Sequence, residues 1–321
     1  MIAPAILLTY AVIVGSLGGR GLAKARWTQR SPRLGIWTWQ ALTASIVLAM
    51  VLAGATLAVP TLPVSTSLAM LLDACQQAIL EQYSTPGGAA VSSSGALLVL
   101  AVAARLCFAM TAECISTCRR RRKQHRSLML VTDRHAATAA RVLPHTAPAV
   151  YCLPGRPGII VLTSSAVATL DDHQLRAVLA HERAHLRNRH HLILTAAAAL
   201  RKAYPFVPAF TAAQAQLQRL VEMHADDAAC RHHDRKVLAT ALVTLAEGAI
   251  PAAAIGAGGG SALLRVKRLA RPADPMSLWW SMLVSGTALT MLMLPIVTAV
   301  GPAMVAAILD YCPLVLPSLK P

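Results

Sequence analysis

Four stretches of this chain are apolar for long enough to cross a lipid bilayer: residues 1–19, 41–59, 96–118 and 278–309. Roughly 20 helical residues span the hydrocarbon layer. No water is present there to satisfy a backbone N–H or C=O, so such segments must fold as internally bonded helices. Composition agrees: 55% of the 321 residues are hydrophobic and 14% charged, where soluble domains carry roughly 25% charged residues. The first stretch lacks the basic leader and small-residue cleavage site of a secretory signal. Arg105 and Glu113 interrupt the third. They lie about 12 Å apart along a helix axis, too far to pair directly. Arg105 is expected to contact another span, and Glu113 to reach the inner interface. Pro295 and Pro302 are expected to kink the fourth span or end it early.

Basic residues in short loops set orientation. The loop 20–36 holds Arg20, Lys24, Arg26, Arg30 and Arg33 and no acid. The loop 60–95 has no Lys or Arg, only Asp73 and Glu81. Residues 119–123 read Arg-Arg-Arg-Arg-Lys directly after the third span. The three signals predict both termini outside, 20–36 and 119–277 inside, and 60–95 and the tail 310–321 outside. The expected layout is therefore three spans within 1–118, an inner domain over 119–277, a fourth span over 278–309 and a short outer tail. The net charge of +16 follows from orientation and contact with anionic lipid. No aromatic interleaving or recognition motif suggests direct nucleic-acid binding. Seven cysteines are too few for a disulfide scaffold, and the lack of a C-x-x-C pair speaks against a cysteine zinc site. Cys75 and Cys312 alone fall outside on this topology and could pair with each other.

The inner domain opens with strand-like runs at 128–132, 149–153 and 158–163. The last could lie beside an extended substrate by strand addition. A helix follows, with Asp171 and Gln174 spaced as a capping box and Leu175, Val178, Leu179 and Leu186 as its apolar stripe. It carries the run AHERAHL, residues 180–186. His181 and His185 are four apart, so both imidazoles project from one face toward a single ion, and the H-E-x-x-H pattern points to zinc. Glu182 stands beside them as a general base toward the attacking water. A catalytic zinc takes three protein ligands. The third is expected from the helix after Pro208, at Glu222, with Asp226 one turn on to accept a hydrogen bond from a ligand imidazole. His224 is a weaker alternative ligand or oxyanion partner, and His145 and Tyr151 are further oxyanion candidates. His190, His191, His232 and His233 are expected to face solvent or lipid headgroups. Residues 249–261 read as a linker, followed by a short basic helix over 262–270.

The segments LDDHQLRAVLAHERAHLRNRHH (170–191) and RLVEMHADDAA (219–229) resemble the BlaR/MecR-type membrane zinc peptidases and, more distantly, the HtpX and CAAX-protease group. The four-span layout extends the resemblance over nearly the whole chain. It implies an α-helical integral membrane protein of a bacterial plasma membrane, with an inserted α+β gluzincin-type domain. It implies zinc on His181, His185 and Glu222, and Glu182 as catalytic base. It also implies regulated proteolysis of a cytoplasmic protein partner, typically a repressor of the BlaI/MecI type. Many relatives carry an Asp shortly after H-E-x-x-H, where this chain has His190 and His191. The competing expectations are an HtpX-like quality-control protease and a non-catalytic transducer with a structural zinc. The sequence also permits a homo-oligomer. Antibiotic-sensing relatives have an outer penicillin-binding domain using S-x-x-K. The tail here is about a dozen residues and ends Ser318-Leu319-Lys320, so no covalent β-lactam binding is expected.

Overall fold

The computed structural model describes residues 2–59, 84, 86–134, 138, 140–248, 259–271 and 274–311. Cys75, Cys312, most of the loop 60–95 and most of the linker 249–261 lie outside the described residues. The chain begins with α1 (Ile2–Ile13), a π-helical turn (Val14–Gly18), α2 (Gly19–Lys24) and α3 (Trp27–Arg30). Then come α4 (Pro32–Ala58) and the long α5 (Pro86–Val131). The strands are β1 (Asp133–Arg134), β2 (Arg141–Leu143), β3 (Val150–Leu153) and β4 (Ile159–Thr163). The remaining helices are α6 (Ser164–Thr169), α7 (Asp172–Arg187), α8 (His190–Ala203), α9 (Pro208–Ala229), α10 (Arg235–Glu247), α11 (Gly259–Ala270) and α12 (Leu278–Tyr311).

Four helical stretches are long and apolar enough to cross a membrane: 2–24, 32–58, 87–131 and 278–301. Pro32 opens α4 at a position where its missing N–H costs nothing. Within α4 the hydroxyls of Thr38, Thr43 and Thr56 donate back to the carbonyls of Leu34, Trp39 and Leu52. A polar side chain in an apolar helix is satisfied in this way. Trp39, Leu42, Ile46, Ala49 and Ala53 form the buried line of α4. α4 and α5 approach closely at Gly95, where a Cβ would meet Ala58 N at 2.5 Å and Gly54 O at 2.6 Å. Small residues allow such contact between apolar helices. α12 runs unbroken through Pro295 and Pro302, neither of which ends it.

The run 128–132 is not a strand. Residues 119–131 contain no Gly or Pro, so α5 continues past the basic cluster and stops at Val131. Leu128 packs with Leu153 and Val161, which makes the run a helix face laid on the sheet. The sheet order is β1-β2-β4-β3, with β2 parallel and β3 antiparallel to β4. The strand 158–163, readable either as a substrate-pairing strand or as an ordinary core strand, is flanked on both sides and is a core strand. The free edge near α7 belongs to β3.

α8 and α9 form a hairpin whose tip reaches the apolar helices. Tyr204 Oη donates to Val102 O at 2.7 Å, and Arg105 Nε donates to Ala203 O. Lys202 pairs with Glu113. Arg105 and Glu113 are thus both engaged by the end of α8, a partner the sequence did not suggest. Phe210, Ala213, Leu217 and Leu220 of α9 share one core with α1, α4 and α5. At Gly19 a Cβ would meet Ala209 Cα at 2.9 Å. A second core joins the sheet to α7, α10 and Leu269 of α11.

Candidate metal centre

Asp171 starts α7 as expected. Its Oδ1 accepts from His173 N and Gln174 N, both at 2.8 Å, and Gln174 Oε1 returns the bond to Asp171 N. Leu175, Val178 and Leu179 anchor α7 to the second core. That orientation buries His181 and Glu182 toward a cleft rather than toward solvent. α7 ends at Asn188, and Arg189 then takes φ 50°. This left-handed residue turns the chain sharply enough to bring His190 back beneath His185.

His181, His185 and Glu222 converge. The two Nε2 atoms are 3.1 Å apart, and each is 3.5 Å from an oxygen of Glu222. Four ligands on a tetrahedral ion with bonds of about 2.0–2.1 Å are separated by about 3.3–3.4 Å. The triangle has that size. Among the described residues this is the group of side chains able to share an ion.

The contacts of the ring nitrogens are compatible with a cation. His181 Nδ1 lies 3.0 Å from Asp226 Oδ1, which can only accept. His185 Nδ1 lies 3.0 Å from His190 Nδ1, and His190 Nε2 lies 2.9 Å from His224 Nδ1. With Nδ1 of His181 and His185 protonated, both Nε2 lone pairs point at one place beside a carboxylate. The residues fit a zinc ion chemically.

Electrostatics follow the same logic. Burial lowers His185 to about 4 and, with His185 and His224 alongside, His190 to about 3, so both rings are neutral. Burial opposes charge on His181, but bonds with Asp226 and Glu222 raise it to about 9. A cation between these groups would satisfy the same attraction. Burial raises Glu182, with His181 partly offsetting it. Burial also pushes Asp226 upward, yet Arg265 and His181 hold it ionised well below the usual carboxylate range.

Arg265, on α11, was not foreseen. Its Nε and Nη2 donate to the two oxygens of Asp226 at 2.9 and 2.7 Å, and Nη1 lies 3.1 Å from Glu222 Oε2. In the sequence it sits in the short basic helix 262–270, and no local pattern marks it. Cys152 was also missed. It lies on β3 within hydrogen-bonding range of Glu182, and burial with that carboxylate raises the thiol strongly. His190 departs from expectation, being 1% exposed and bonded in the ring chain. His232 is exposed. His224 bonds His190 and stands outside the converging group. His145 caps a turn, its Nδ1 accepting from Ala147 N at 3.0 Å. Tyr151 does line the cleft.

Two cavities flank the centre. One lobe, about 380 Å³, is walled by Val150 and Tyr151 of β3 and by Leu238, Leu242 and Leu245 of α10. The other, about 370 Å³, runs past His191, Gln214 and Gln218 to Glu113 on α5. Cys152, His185 and Glu222 border both.

An H-E-x-x-H helix with a glutamate from a later helix, set beside a small sheet, defines a metallopeptidase-like centre. In agreement, residues 119–207 match the sequence model of peptidase family M48. That range takes in the sheet, α7 and α8 and supports a metallopeptidase; Glu222 and Arg265 lie beyond it. No curated protein and no solved structure matches the chain.

Proposed function

We propose that the chain is a membrane-embedded zinc endopeptidase that cleaves a protein on the inner side of the membrane in regulated proteolysis. A repressor of the BlaI/MecI type is the substrate that the resemblance in sequence and layout favours. The observation that carries the reading is the two-sided cleft with His181, His185, Glu222 and Glu182 at its middle. A centre flanked by two cavities suits a chain cut internally rather than at a terminus.

His181, His185 and Glu222 would hold the ion. A zinc ion held there would supply Lewis-acid polarisation of the scissile carbonyl and of the attacking water. Glu182 takes the proton of that water and returns it to the leaving amine. Its burial, which raises its pKa, suits a group that must both accept and donate. The free edge of β3 aligns an extended substrate by main-chain hydrogen bonds. The wall of Leu238, Leu242 and Leu245 receives an apolar side chain. Asp226 fixes the His181 ring, and Arg265 holds Asp226 and Glu222 in place while balancing their charge.

A second reading is quality control of membrane proteins. The lobe that runs to Glu113, within the third apolar helix, favours it, because a substrate could enter from the membrane side. Comparing protein termini in cells carrying wild type or Glu182→Ala separates the two. One discrete cytoplasmic product lost in the variant supports the regulator. Many membrane fragments support quality control, and identical termini in both strains defeat the peptidase reading.

A further inference from the structure

Away from the cleft, a cavity of about 660 Å³ is lined by six cations: Arg26, Arg30, Arg235, Lys267, Arg268 and Arg271. Only Asp227 and Asp274 answer them in its walls. Arg268 is engaged with Asp227 at 2.8 Å, and Arg30 with Asp274 at 3.0 Å. Arg26, Lys267 and Arg271 have no ion-pair partner among the described residues. Arg235 donates from Nη2 to Arg268 O at 2.9 Å, but its buried Nε has no partner among the described residues. Cations concentrated in a concavity with few acids to match focus a positive potential that attracts anions.

The position of the cavity says which anion. Arg26 and Arg30 lie between the first and second apolar helices. Asp274 and Pro275 lie just before α12, whose first tryptophans, Trp279 and Trp280, are 73% and 58% exposed. Part of the lining thus flanks three of the four candidate spans, and the rest comes from α9, α10 and α11; on the membrane reading the span ends lie near the lipid phosphates. Leu264 adds an apolar strip to the lining, suited to the glycerol and upper acyl region. Guanidinium forks match phosphate oxygens in pairs.

We propose that this cavity binds the phosphate headgroup of an anionic phospholipid. The proposal rests on reading the four apolar helices as membrane spans. The bound headgroup also bears on the cleft, because α11 lines both sites. Arg268 faces the cavity and is tied to Gln29 O at 2.9 Å; one turn earlier, Arg265 faces Asp226 and Glu222. An occupied cavity holds α11 in the position that the metal centre requires.

The test uses the full chain in vesicles of phosphatidylcholine, alone or mixed with phosphatidylglycerol, followed by native mass spectrometry of the retained lipid. Wild type should keep phosphatidylglycerol selectively. The double variant Lys267→Gln, Arg271→Gln should bind it roughly 30-fold more weakly, at about 1 kcal/mol per cation near the surface. Arg120→Gln with Arg122→Gln removes equal charge from the exposed face of α5 and should change retention little. Equal retention in all three proteins overturns the cavity as the site. Inorganic phosphate stabilising the chain in neutral vesicles as well as phosphatidylglycerol does would overturn the lipid assignment. Failure to co-float with neutral vesicles would instead overturn the membrane reading itself.

Discussion

His190 shows how one residue completes a site by bonding rather than by ligation. Its Nδ1 lies 3.0 Å from His185 Nδ1 and its Nε2 2.9 Å from His224 Nδ1; accepting from a protonated His185 Nδ1, it would fix which nitrogen of His185 faces the ion. Partners of this kind typically change metal affinity by about 10–100-fold when removed. On the zinc reading, His190→Ala should weaken zinc binding by about that factor while leaving the fold intact. His190→Asp should keep most of the affinity, since a carboxylate can also accept from Nδ1. Competition titration with a chelating dye would measure both. Unchanged affinity in the alanine variant would mean that the His185 ring is oriented by its packing alone. The sequence showed His190 only as one of a pair of histidines after the motif. Its burial depends on the φ 50° turn at Arg189, which is not encoded by a Gly or Asn and so was not visible. Arg189 can hold that conformation only because α7 and α8 are both fixed from beyond the turn. Substitution by valine, whose branched Cβ tolerates positive φ poorly, should lower stability by about 1–2 kcal/mol. Thermal unfolding in detergent would show it, and an unchanged midpoint would place the strain elsewhere.

At the level of elements, local signals were strong where local chemistry decides. The capping box at Asp171 and Gln174, the proline start of α9 and the four apolar helices could all be read directly, whereas α4 begins at Pro32, inside the stretch read as a loop. Elements whose form depends on distant partners were less legible. The run 128–132 has strand-like residues, yet α5 absorbs it because no breaker precedes it and Leu128 finds the sheet as a partner. β1 and β2 are two and three residues long, too short to show a period. The convergence of α7 and α9 was anticipated from H-E-x-x-H and Glu222, but the arrival of Arg265 from α11 required knowing the fold. The α8–α9 hairpin depends heavily on Phe210, which is fully buried among the apolar helices. Phe210→Ala should cost about 3–5 kcal/mol and should perturb the ends of α8 and α9 together. Limited proteolysis across 203–208 reads this out; cleavage no faster than in wild type would show that the hairpin is held by its polar ties instead.

Across the whole molecule, the charge asymmetry predicts one topology. Reporter fusions at Arg30 and Arg271 should give the inner-side signal, and one at Ser65 the outer-side signal. An outer signal at Arg271 would place the cleft on the wrong face for a cytoplasmic substrate. The sequence reading treated the inner segment as a unit joined to the membrane by spans on either side. The described structure binds it more closely than that, because the hairpin shares the core of α1, α4 and α5.

That hairpin is a lever. Its root is the connecting turn at the tip, where Lys202, Ala203 and Tyr204 are tied to Glu113, Arg105 and Val102 of α5. Its far ends carry His190 and Glu222, each about 20 Å from the root at 1.5 Å per residue. Rotation by about 3° at the root therefore displaces those ends by about 1 Å. A displacement of that size can cost a reaction about a hundredfold in rate. If the apolar helices span a bilayer, a change in the tilt of α5 would reach the cleft through these ties, without any contact there.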